Sequence, residues 1–359
     1  MTAGEVSIMG VGMVTGWADA SLSLTDLIFK ATSAAVRDSG VDMKRIDSVV
    51  LSAHDLVDGR SLSSMVTAPA AGAYLRDEIR LASDGLAALS LASARVEAGE
   101  TDYSIVAAWG RASEGNYART SQAAFDPLFE QVFQPDEFIL SALRLSAWGM
   151  RHGMPGQARL DAAAVRKARA LTNPRAISDG VRFPLAAPLI AEDAPLMADI
   201  AVAAIIGRGP GPVRLAGFGH SAASALIGAR DLVEAQPLVD AVGRAASRAG
   251  FGTGDVDLFC LAGPTLSDEA LTLEALGIAA PGSGYATYAA QAHINPAGGS
   301  ESGWCFPTCG LVNAVEAYLQ LTGRAGPCQI TPGPKRALVT GVSAMGGQAA
   351  HAAFLEASA

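Results

Sequence analysis

The chain has 359 residues and a formal net charge of -9, and half of its residues are hydrophobic against 17% that are charged. This length is typical of about two domains. The sequence has no basic stripe that could bind nucleic acid and no apolar run of the roughly 18 residues that a membrane-spanning helix needs. Its N-terminus lacks the basic segment of a signal peptide, and its four cysteines are too few for a disulfide scaffold. We therefore expect a cytoplasmic globular protein.

The first half of the sequence alternates buried-strand runs with helical periodicity. The pattern predicts strands at 6–14, 46–53, 103–109 and 198–207, and helices at 24–39, 84–98 and 161–171. Residues 116–158 differ, because they hold several phenylalanines and are broken by three prolines. We interpret them as short helices that cover a pocket rather than as a separate domain.

The second half follows a glycine- and proline-rich linker at 208–212. The pattern predicts strands at 213–218, 257–261, 336–341 and 349–356, and helices at 223–234, 237–249, 267–276 and 310–322. We therefore divide the chain into residues 1–210 and residues 211–359.

One unit of this pattern occurs twice. In each half, a loop leads into a helix that is apolar on more than one face, and a glycine, a strand and a glycine-rich turn follow. The two helices, 84–98 and 310–322, lie roughly 225 residues apart, which indicates an internal duplication. We expect an α/β fold of two pseudo-symmetric halves in which these two helices pack against each other at the centre.

Six segments, in their order and spacing, resemble the thiolase superfamily, and most of all its lipid-transfer branch, the sterol-carrier-protein thiolases. They are 55–60 (DLVDGR), 84–89 (DGLAAL), 108–114 (AWGRASE), 165–174 (VRKARALTNP), 295–299 (NPAGG) and 319–326 (LQLTGRAG). The resemblance covers nearly the whole chain. It implies a five-layer αβαβα fold, usually dimeric, that handles acyl-CoA.

The same resemblance implies a degenerate catalytic set. A thiolase needs a cysteine nucleophile at the start of the first buried helix, and that position falls at Ala82, or at Ser83 if the register shifts by one residue. The family's catalytic histidine falls at Trp304, and its second cysteine falls near Gly341. The polar motif of the second half falls at 261–264, which reads LAGP. Ordinary thiolysis or Claisen condensation is therefore not expected.

Three residues remain as candidates for catalysis. Cys309 begins the second buried helix, where the helix dipole could stabilise a thiolate, although free cysteines are more often simply small buried residues. His293 precedes the NPAGG segment and could be a base, or a strand-end histidine with a satisfied hydrogen bond. Asp58 lies in a loop that could reach the active site, or it could serve only the Asp-Gly turn.

Other residues are candidates for binding. Backbone groups at Gly298, Gly299, Ser343 and Gly346 are candidate contacts to acyl-CoA, which we expect as a substrate or ligand and not as a resident cofactor. The C-x3-C pair Cys305 and Cys309 could begin a metal site with Cys328 and His293, but we expect no metal. Some relatives are aldolases that use tyrosines, which adds Tyr285 and Tyr288 to the candidates.

Two functions follow from this sequence. The first, implied by the resemblance, is an acyl-CoA-associated organising subunit of an acyltransferase or carbon–carbon lyase complex. Its partner would be an identical or different thiolase-like chain, an OB-fold/zinc-ribbon acyl-CoA-associated protein, or both. The alternative is an active acyltransferase or retro-aldolase that uses Cys309, His293 or the tyrosines. Because an apolar strand at 103–109 at the edge of a sheet would need cover, we expect dimerisation through it.

Overall fold

The fold is a nine-stranded mixed sheet with ten α-helices, seen in a computed structural model that describes residues 5–60, 64–342 and 345–358. The strands are β1 (Val6–Gly16), β2 (Ser48–Ser52), β3 (Asp77–Leu81), β4 (Tyr103–Arg111), β5 (Asp199–Arg208), β6 (Val213–Ala222), β7 (Leu258–Cys260), β8 (Arg336–Val342) and β9 (Ala349–Ala357). The helices are α1 (Leu24–Ser39), α2 (Ser64–Ala70), α3 (Gly85–Ala98), α4 (Tyr117–Gln122), α5 (Glu137–His152), α6 (Gly156–Thr172), α7 (Gln236–Ala249), α8 (Leu266–Ala275), α9 (Gly284–Ala290) and α10 (Cys309–Leu321).

The strand order shows the same half-fold twice. It runs β3-β2-β4-β5-β1-β6-β9-β8-β7. In the first half, β1 pairs antiparallel with β5, β5 antiparallel with β4, and β4 parallel with β2. In the second half, β6, β9, β8 and β7 repeat these three pairings in the same order. The halves join through two residue pairs of β1 and β6, Ser7 with Arg214 and Ile8 with Val213.

Glycines let the first helix of each half lie directly on its first strand. A Cβ at Gly12 in β1 would stand 2.2 Å from a backbone oxygen of α1, and a Cβ at Gly219 in β6 would stand 1.8 Å from one of α7. Only glycine permits such close approach. The helices α1 and α7 therefore form the two outer layers, one on each half-sheet.

The two apolar helices form the central layer, as the sequence predicts. The helices α3 and α10 contact each other and also strands of both halves. A Cβ at Gly85 would stand 2.6 Å from the Cβ of Leu311, so the two helices meet at their N-terminal turns. With sheet on both sides and helices outside, the order of layers is αβαβα, which confirms the expected fold class.

Some elements differ from the sequence prediction. The strand β3 was not predicted, since its sequence DEIRL lacks an apolar run, and α2 and α9 were not predicted either. Residues 223–234 contain one short 3-10 turn, Ile227–Ala229, in place of the predicted helix. The strand β4 lies between β2 and β5, so the prediction that strand 103–109 is an edge that needs a dimer partner is wrong.

The excursion of the first half folds over the second half. Its helix α5 is 16 residues long, rather than short, and Asp136 caps its start by accepting a hydrogen bond from the Ile139 amide. Leu145 and Trp148 of α5 pack in one cluster with Leu266 and Tyr285. In the part of the chain that the structure describes, each helix is too short or too polar to cross a bilayer.

Candidate active site

A cavity lies between α5, the segment before and into α7, the loop after β7, and the ends of β8 and β9. It encloses about 840 Å³ of empty space, its open mouth included. Its wall is mainly apolar, with Leu140, Leu232, Leu238, Val342 and Met345 among the side chains that form it. A mainly apolar cavity with a few polar groups in its wall is typical of a small-molecule site.

Glu137, in the first turn of α5, is a buried acid in the wall of this cavity. Its residue is 3% exposed, and its Oε1 accepts hydrogen bonds from the Tyr117 hydroxyl at 2.7 Å and from Trp304 Nε1 at 3.2 Å. Among the described residues none donates a hydrogen bond to its Oε2. The carboxyl group thus has one oxygen anchored and one oxygen free for a ligand of the cavity.

The environment of Glu137 makes it a candidate general acid or base. Burial raises its pKa to about 8, against the lowering effect of the hydrogen bonds from Tyr117 and Trp304. Burial also raises the pKa of Tyr117 well above its ordinary value, with the adjacent Glu137 adding to the effect. Tyr117 therefore stays a hydrogen-bond donor, while Glu137 can exchange a proton near neutral pH.

A second buried carboxyl group, Asp84, joins the central helices. Its Oδ1 accepts a hydrogen bond from the Leu86 amide at 2.7 Å, and its Oδ2 accepts one from the Gly310 amide at 2.6 Å. The thiol of Cys309 donates to the same Oδ2 at 2.9 Å. Asp84 therefore caps α3 and also satisfies an amide in the first turn of α10.

This arrangement disfavours a thiolate at Cys309. The thiol is buried, and its burial and the adjacent Asp84 carboxylate raise its pKa well above the ordinary value. The helix terminus that could have stabilised a thiolate already holds the Asp84 carboxylate. Catalysis by Cys309 stays a prediction, and its surroundings are those of a buried structural thiol.

The three positions where the family resemblance places catalytic groups have different surroundings. Ala82 is exposed, and Ser83 accepts a hydrogen bond from the Ser52 hydroxyl through its backbone oxygen. Trp304 is buried against Tyr117 and Glu137, as described above. Gly341 lies in the cavity wall, where a Cβ would stand 2.4 Å from Asp84 Oδ1. As packed here, the site has no room for a cysteine side chain at 341 unless Asp84 moves.

The loop candidate Asp58 has structural partners. It is buried, and it accepts hydrogen bonds from the Arg111 amide at 2.8 Å and from Trp109 Nε1 at 3.2 Å. Burial raises its pKa to about 7. It fastens the loop after β2 to the end of β4, and it is not among the residues that line the cavity.

His293 lies apart from the cavity wall. Its backbone oxygen accepts a hydrogen bond from the Phe259 amide, and its ring packs on the Phe259 ring with centroids 5.7 Å apart. Burial, and then the charge of Arg169, lower its pKa. The structure therefore brings none of the other predicted catalytic residues to His293.

The predicted binding glycines take two different positions. A Cβ at Gly298 would meet Ala170 of α6 at 2.7 Å, and a Cβ at Gly299 would meet the Glu269 carboxyl at 2.5 Å. These two glycines thus pack on protein groups, and each has a positive φ. The backbone oxygen of Gly346 accepts a hydrogen bond from Arg230 beside the cavity. Ser343 lies outside the described residues.

The candidate tyrosines are buried in the protein interior. Tyr285 donates a hydrogen bond to Ser267, and burial raises its pKa to about 12. Tyr288 is fully buried and lies under the guanidinium of Arg169. All four cysteines are free and buried. Among the residues described, no group of three or more His, Cys, Asp or Glu side chains is arranged to hold a metal ion.

Sequence reasoning missed the residues that form the acid cluster, Tyr117, Glu137 and Trp304. In the sequence, Asp136 and Glu137 look like acidic residues that open a helix. Trp304 was noticed only as a replacement for a histidine. The available signal was a glutamate just inside a helix of the pocket-covering excursion, on the face where the following apolar residues are buried.

Comparison with known proteins agrees with this architecture. Residues 219–356 match a family model described as thiolase C-terminal domain-like. Residues 219–356 therefore resemble the C-terminal domain of thiolases. A stretch of 107 residues is 37% identical to sterol carrier protein 2 of Rattus norvegicus, which covers 28% of this chain and 19% of that protein. The thiolase-like protein therefore matches only a small part of that relative's length.

Solved structures resemble the thiolase-like protein over its whole length. The "Ltp2-ChsH2(DUF35) aldolase" superimposes with a TM-score of 0.81 and 16% identity, covering 99% of both chains. Human mitochondrial 3-ketoacyl-CoA thiolase superimposes with a TM-score of 0.73 and 14% identity, covering 100% of both chains. At these identities the likeness establishes the fold, and together with the family-model match and the sterol carrier protein 2 match it agrees with the resemblance read from the sequence.

Proposed function

We propose that the thiolase-like protein is the thioester-binding subunit of a carbon–carbon lyase, and that it cleaves a β-hydroxyacyl thioester by a retro-aldol reaction. The observation that carries this proposal is Glu137, a buried carboxyl group with a pKa of about 8 in the wall of an apolar cavity. A retro-aldol reaction needs an acid–base group but no covalent nucleophile. The positions where a thiolase would carry its nucleophile and base hold Ala82 and Trp304.

The reaction would use Glu137 in both of its proton transfers. The ionised carboxylate accepts the proton of the β-hydroxyl group, and the oxygen's electron pair forms the new carbonyl at the β-carbon. The bond between the α- and β-carbons breaks, and its electron pair passes to the thioester as an enolate. Glu137 then returns the proton to the α-carbon, which leaves an aldehyde or ketone and a shortened acyl thioester.

Two partners fit this proposal. The likeness to the Ltp2-ChsH2(DUF35) aldolase supports a complex with an OB-fold/zinc-ribbon acyl-CoA-associated protein. The expected dimer with an identical or different thiolase-like chain remains part of the proposal. Four free, buried cysteines support the cytoplasmic location expected from the sequence.

A second candidate is an organising subunit with no chemistry of its own. The tight contact between Asp84 and Gly341 favours it, because it fills the place of the second thiolase cysteine. In that case the cavity would bind the thioester and a partner chain would supply the catalytic groups.

The test is to assay the chain, alone and with an OB-fold/zinc-ribbon partner, on a panel of β-hydroxyacyl-CoA thioesters for released carbonyl product. We expect the Glu137→Gln variant to lose about 10²-fold or more in kcat. Wild-type kcat should rise about tenfold between pH 7 and pH 9, as a base with a pKa near 8 ionises.

Asp58→Asn is the comparison variant, because Asp58 is also a buried carboxyl group that an indole N–H donates to. It should keep the wild-type pH profile. Activity that survives Glu137→Gln would refute Glu137 as the acid–base group. Activity that depends only on residues of an added partner would favour the organising subunit.

A further inference from the structure

Arg230 is the cation of the cavity wall that stands without a carboxylate partner. Each of the other charged groups in the described wall is accounted for: Arg144 forms an ion pair with Asp268, and Asp231 forms one with Arg151 outside the wall. Glu137 is largely protonated at neutral pH. Among the described residues no ion pair with Arg230 is formed. Arg230 is therefore the one cation of the described wall that has no ion-pair partner.

The guanidinium of Arg230 is anchored on one side only. Its Nη2 donates to the Gly346 oxygen at 2.7 Å and its Nε donates weakly to the Leu226 oxygen at 3.4 Å. Its Nη1 lies 3.7 Å from where a Cβ of Gly347 would stand, beside the cavity, and donates to no acceptor of the described chain. Arg230 is thus held in place with part of its hydrogen-bonding fork unused.

The surroundings make this charge costly to leave unpaired. Arg230 is half-buried, and burial lowers its pKa, with Glu130 opposing that effect and Arg144 adding to it. The Glu130 carboxylate is already used by the amides of Ile227 and Asp126. An anion that enters the cavity would therefore accept a charge-assisted hydrogen bond from the partly buried Arg230. Such a bond is stronger than a hydrogen bond between neutral groups.

We propose that the cavity accepts a thioester whose acyl chain ends in a carboxylate, and that Arg230 binds this distal carboxylate. The ligand is a monothioester of a dicarboxylic acid, with an apolar chain along the leucine-rich wall and its second acid group at the guanidinium. This inference rests on the proposed function, since it names the acyl group of the same cavity.

A carboxylate fits the site better than the phosphates of a CoA carrier do. Arg230 is a single free cation in the described wall, which matches one carboxylate in charge and in the two-pronged geometry of its donors. A pyrophosphate carries more charge than one guanidinium can compensate. The remaining wall is mainly apolar, and its other charged groups include the carboxylates of Asp231 and Asp268, which would repel a phosphate.

The experiment measures binding, by isothermal titration, of acyl thioesters that cannot be cleaved because they lack a β-hydroxyl group. Pairs of equal chain length, with and without a terminal carboxylate, are compared on CoA and on pantetheine, across a series of chain lengths. For the best chain length, we expect the carboxylate-ended thioester to bind about tenfold more tightly or better on both carriers.

Arg230→Met should remove this preference while leaving the affinity for the uncharged thioester within about twofold. Arg230→Lys should keep part of the preference for the carboxylate, because lysine keeps the positive charge but lacks the paired donors of the guanidinium group. Arg244→Met is the matched control, since Arg244 also donates to a backbone oxygen, that of His220, but lies outside the cavity wall.

Two results would overturn the inference. In one, neither carrier shows a preference for the carboxylate at any chain length. In the other, Arg230→Met weakens CoA thioesters alone and equally with either acyl end, which would assign Arg230 to the carrier's phosphates. Because these ligands are not substrates, the carboxylate preference can persist even if no lyase activity is found, so the two proposals fail separately.

Discussion

Glu137 is ionised at neutral pH in the unfolded chain but mostly protonated in the folded protein. Its pKa rises from an ordinary value of 4.5 to about 8 on folding, chiefly because it is buried. A group whose pKa is raised on folding stabilises the folded state fully below its unfolded pKa, and that contribution is lost as pH rises through the folded pKa. Glu137 therefore destabilises the protein progressively between about pH 4.5 and pH 8.

We predict that the Glu137→Gln variant loses less folding stability than wild type as pH rises. The amide oxygen of glutamine can still accept from Tyr117 and Trp304, and it carries no charge to bury. The variant should gain stability over wild type as pH rises from 5 to 8, by an amount on the order of 1.4 kcal/mol for each unit of pKa shift that is relieved. Urea unfolding at several pH values measures this difference. A constant difference at every pH would contradict it.

Asp84 constrains which side chains position 341 can hold. The Asp84 carboxyl group takes space beside the backbone of Gly341 and Gly310, where a Cβ at either glycine would stand within 2.4 Å of its Oδ1. A change back toward a thiolase-like side chain at 341 would therefore need a change at 84 as well.

At the scale of elements, the edge strand β3 takes the place that the sequence prediction gave to β4. One side of β3 pairs with β2, and no strand of the described chain pairs with its other side. Exposed apolar side chains lie directly before it, with Tyr74 71% and Leu75 87% exposed. Free backbone groups next to exposed apolar side chains favour pairing with a second chain.

We therefore predict a dimer through β3. Leu75→Asp should shift the protein toward monomer in light scattering at micromolar concentration, because it places a charge in the apolar contact. Met150→Asp is the control, since Met150 is 89% exposed but lies on α5. A wild-type monomer, or equal effects of both changes, would contradict this interface.

Elements with a strong pattern could be predicted from sequence, and those fixed by tertiary contacts could not. The helix at 24–39 was predicted with its observed bounds, because an amphipathic run ends in a glycine. The strand β3 was not predicted because its sequence is largely charged, as edge strands often are. Residues 223–234 were predicted as a helix but are mostly irregular where they line the cavity, because contacts there override local propensity.

The candidate site was harder to predict than the fold. The family positions hold no catalytic side chains, so residue type and place in the predicted elements led to Cys309, His293 and Asp58, whose neighbours are known only once the chain is folded. The acid cluster of Tyr117, Glu137 and Trp304 forms from residues of α4, α5 and the segment before α10, up to 187 positions apart. A local sequence pattern cannot predict a contact between residues so far apart. The paired glycines of β1 and β6, in contrast, lie in local sequence motifs, GVG and GFG, which the sequence analysis did not use as a sign of the duplication.

At the scale of the whole molecule, the fold keeps a thiolase architecture while the expected thiolase positions lack reactive side chains. We predict that the purified chain shows no turnover of acetoacetyl-CoA with free CoA, since Ala82 cannot attack a thioester and Trp304 cannot accept a proton. A spectrophotometric thiolysis assay measures this directly.

Mass spectrometry after incubation with acyl-CoA gives the matching test of Cys309. Its raised pKa and its hydrogen bond to Asp84 predict no acyl adduct. A stoichiometric adduct that Cys309→Ala abolishes together with turnover would instead make this cysteine the nucleophile and would refute both proposed functions.

The shared carboxylate of Asp84 has a consequence for how the chain folds. Its bond to the Leu86 amide can form as soon as the first half is made, but its bonds to Gly310 and Cys309 join residues 226 and 225 positions apart. Until the second half arrives, α3 presents an apolar face and a half-satisfied acid to solvent. Although the halves are repeats, the first is therefore not expected to be a stable folding intermediate, and both should unfold in one cooperative transition.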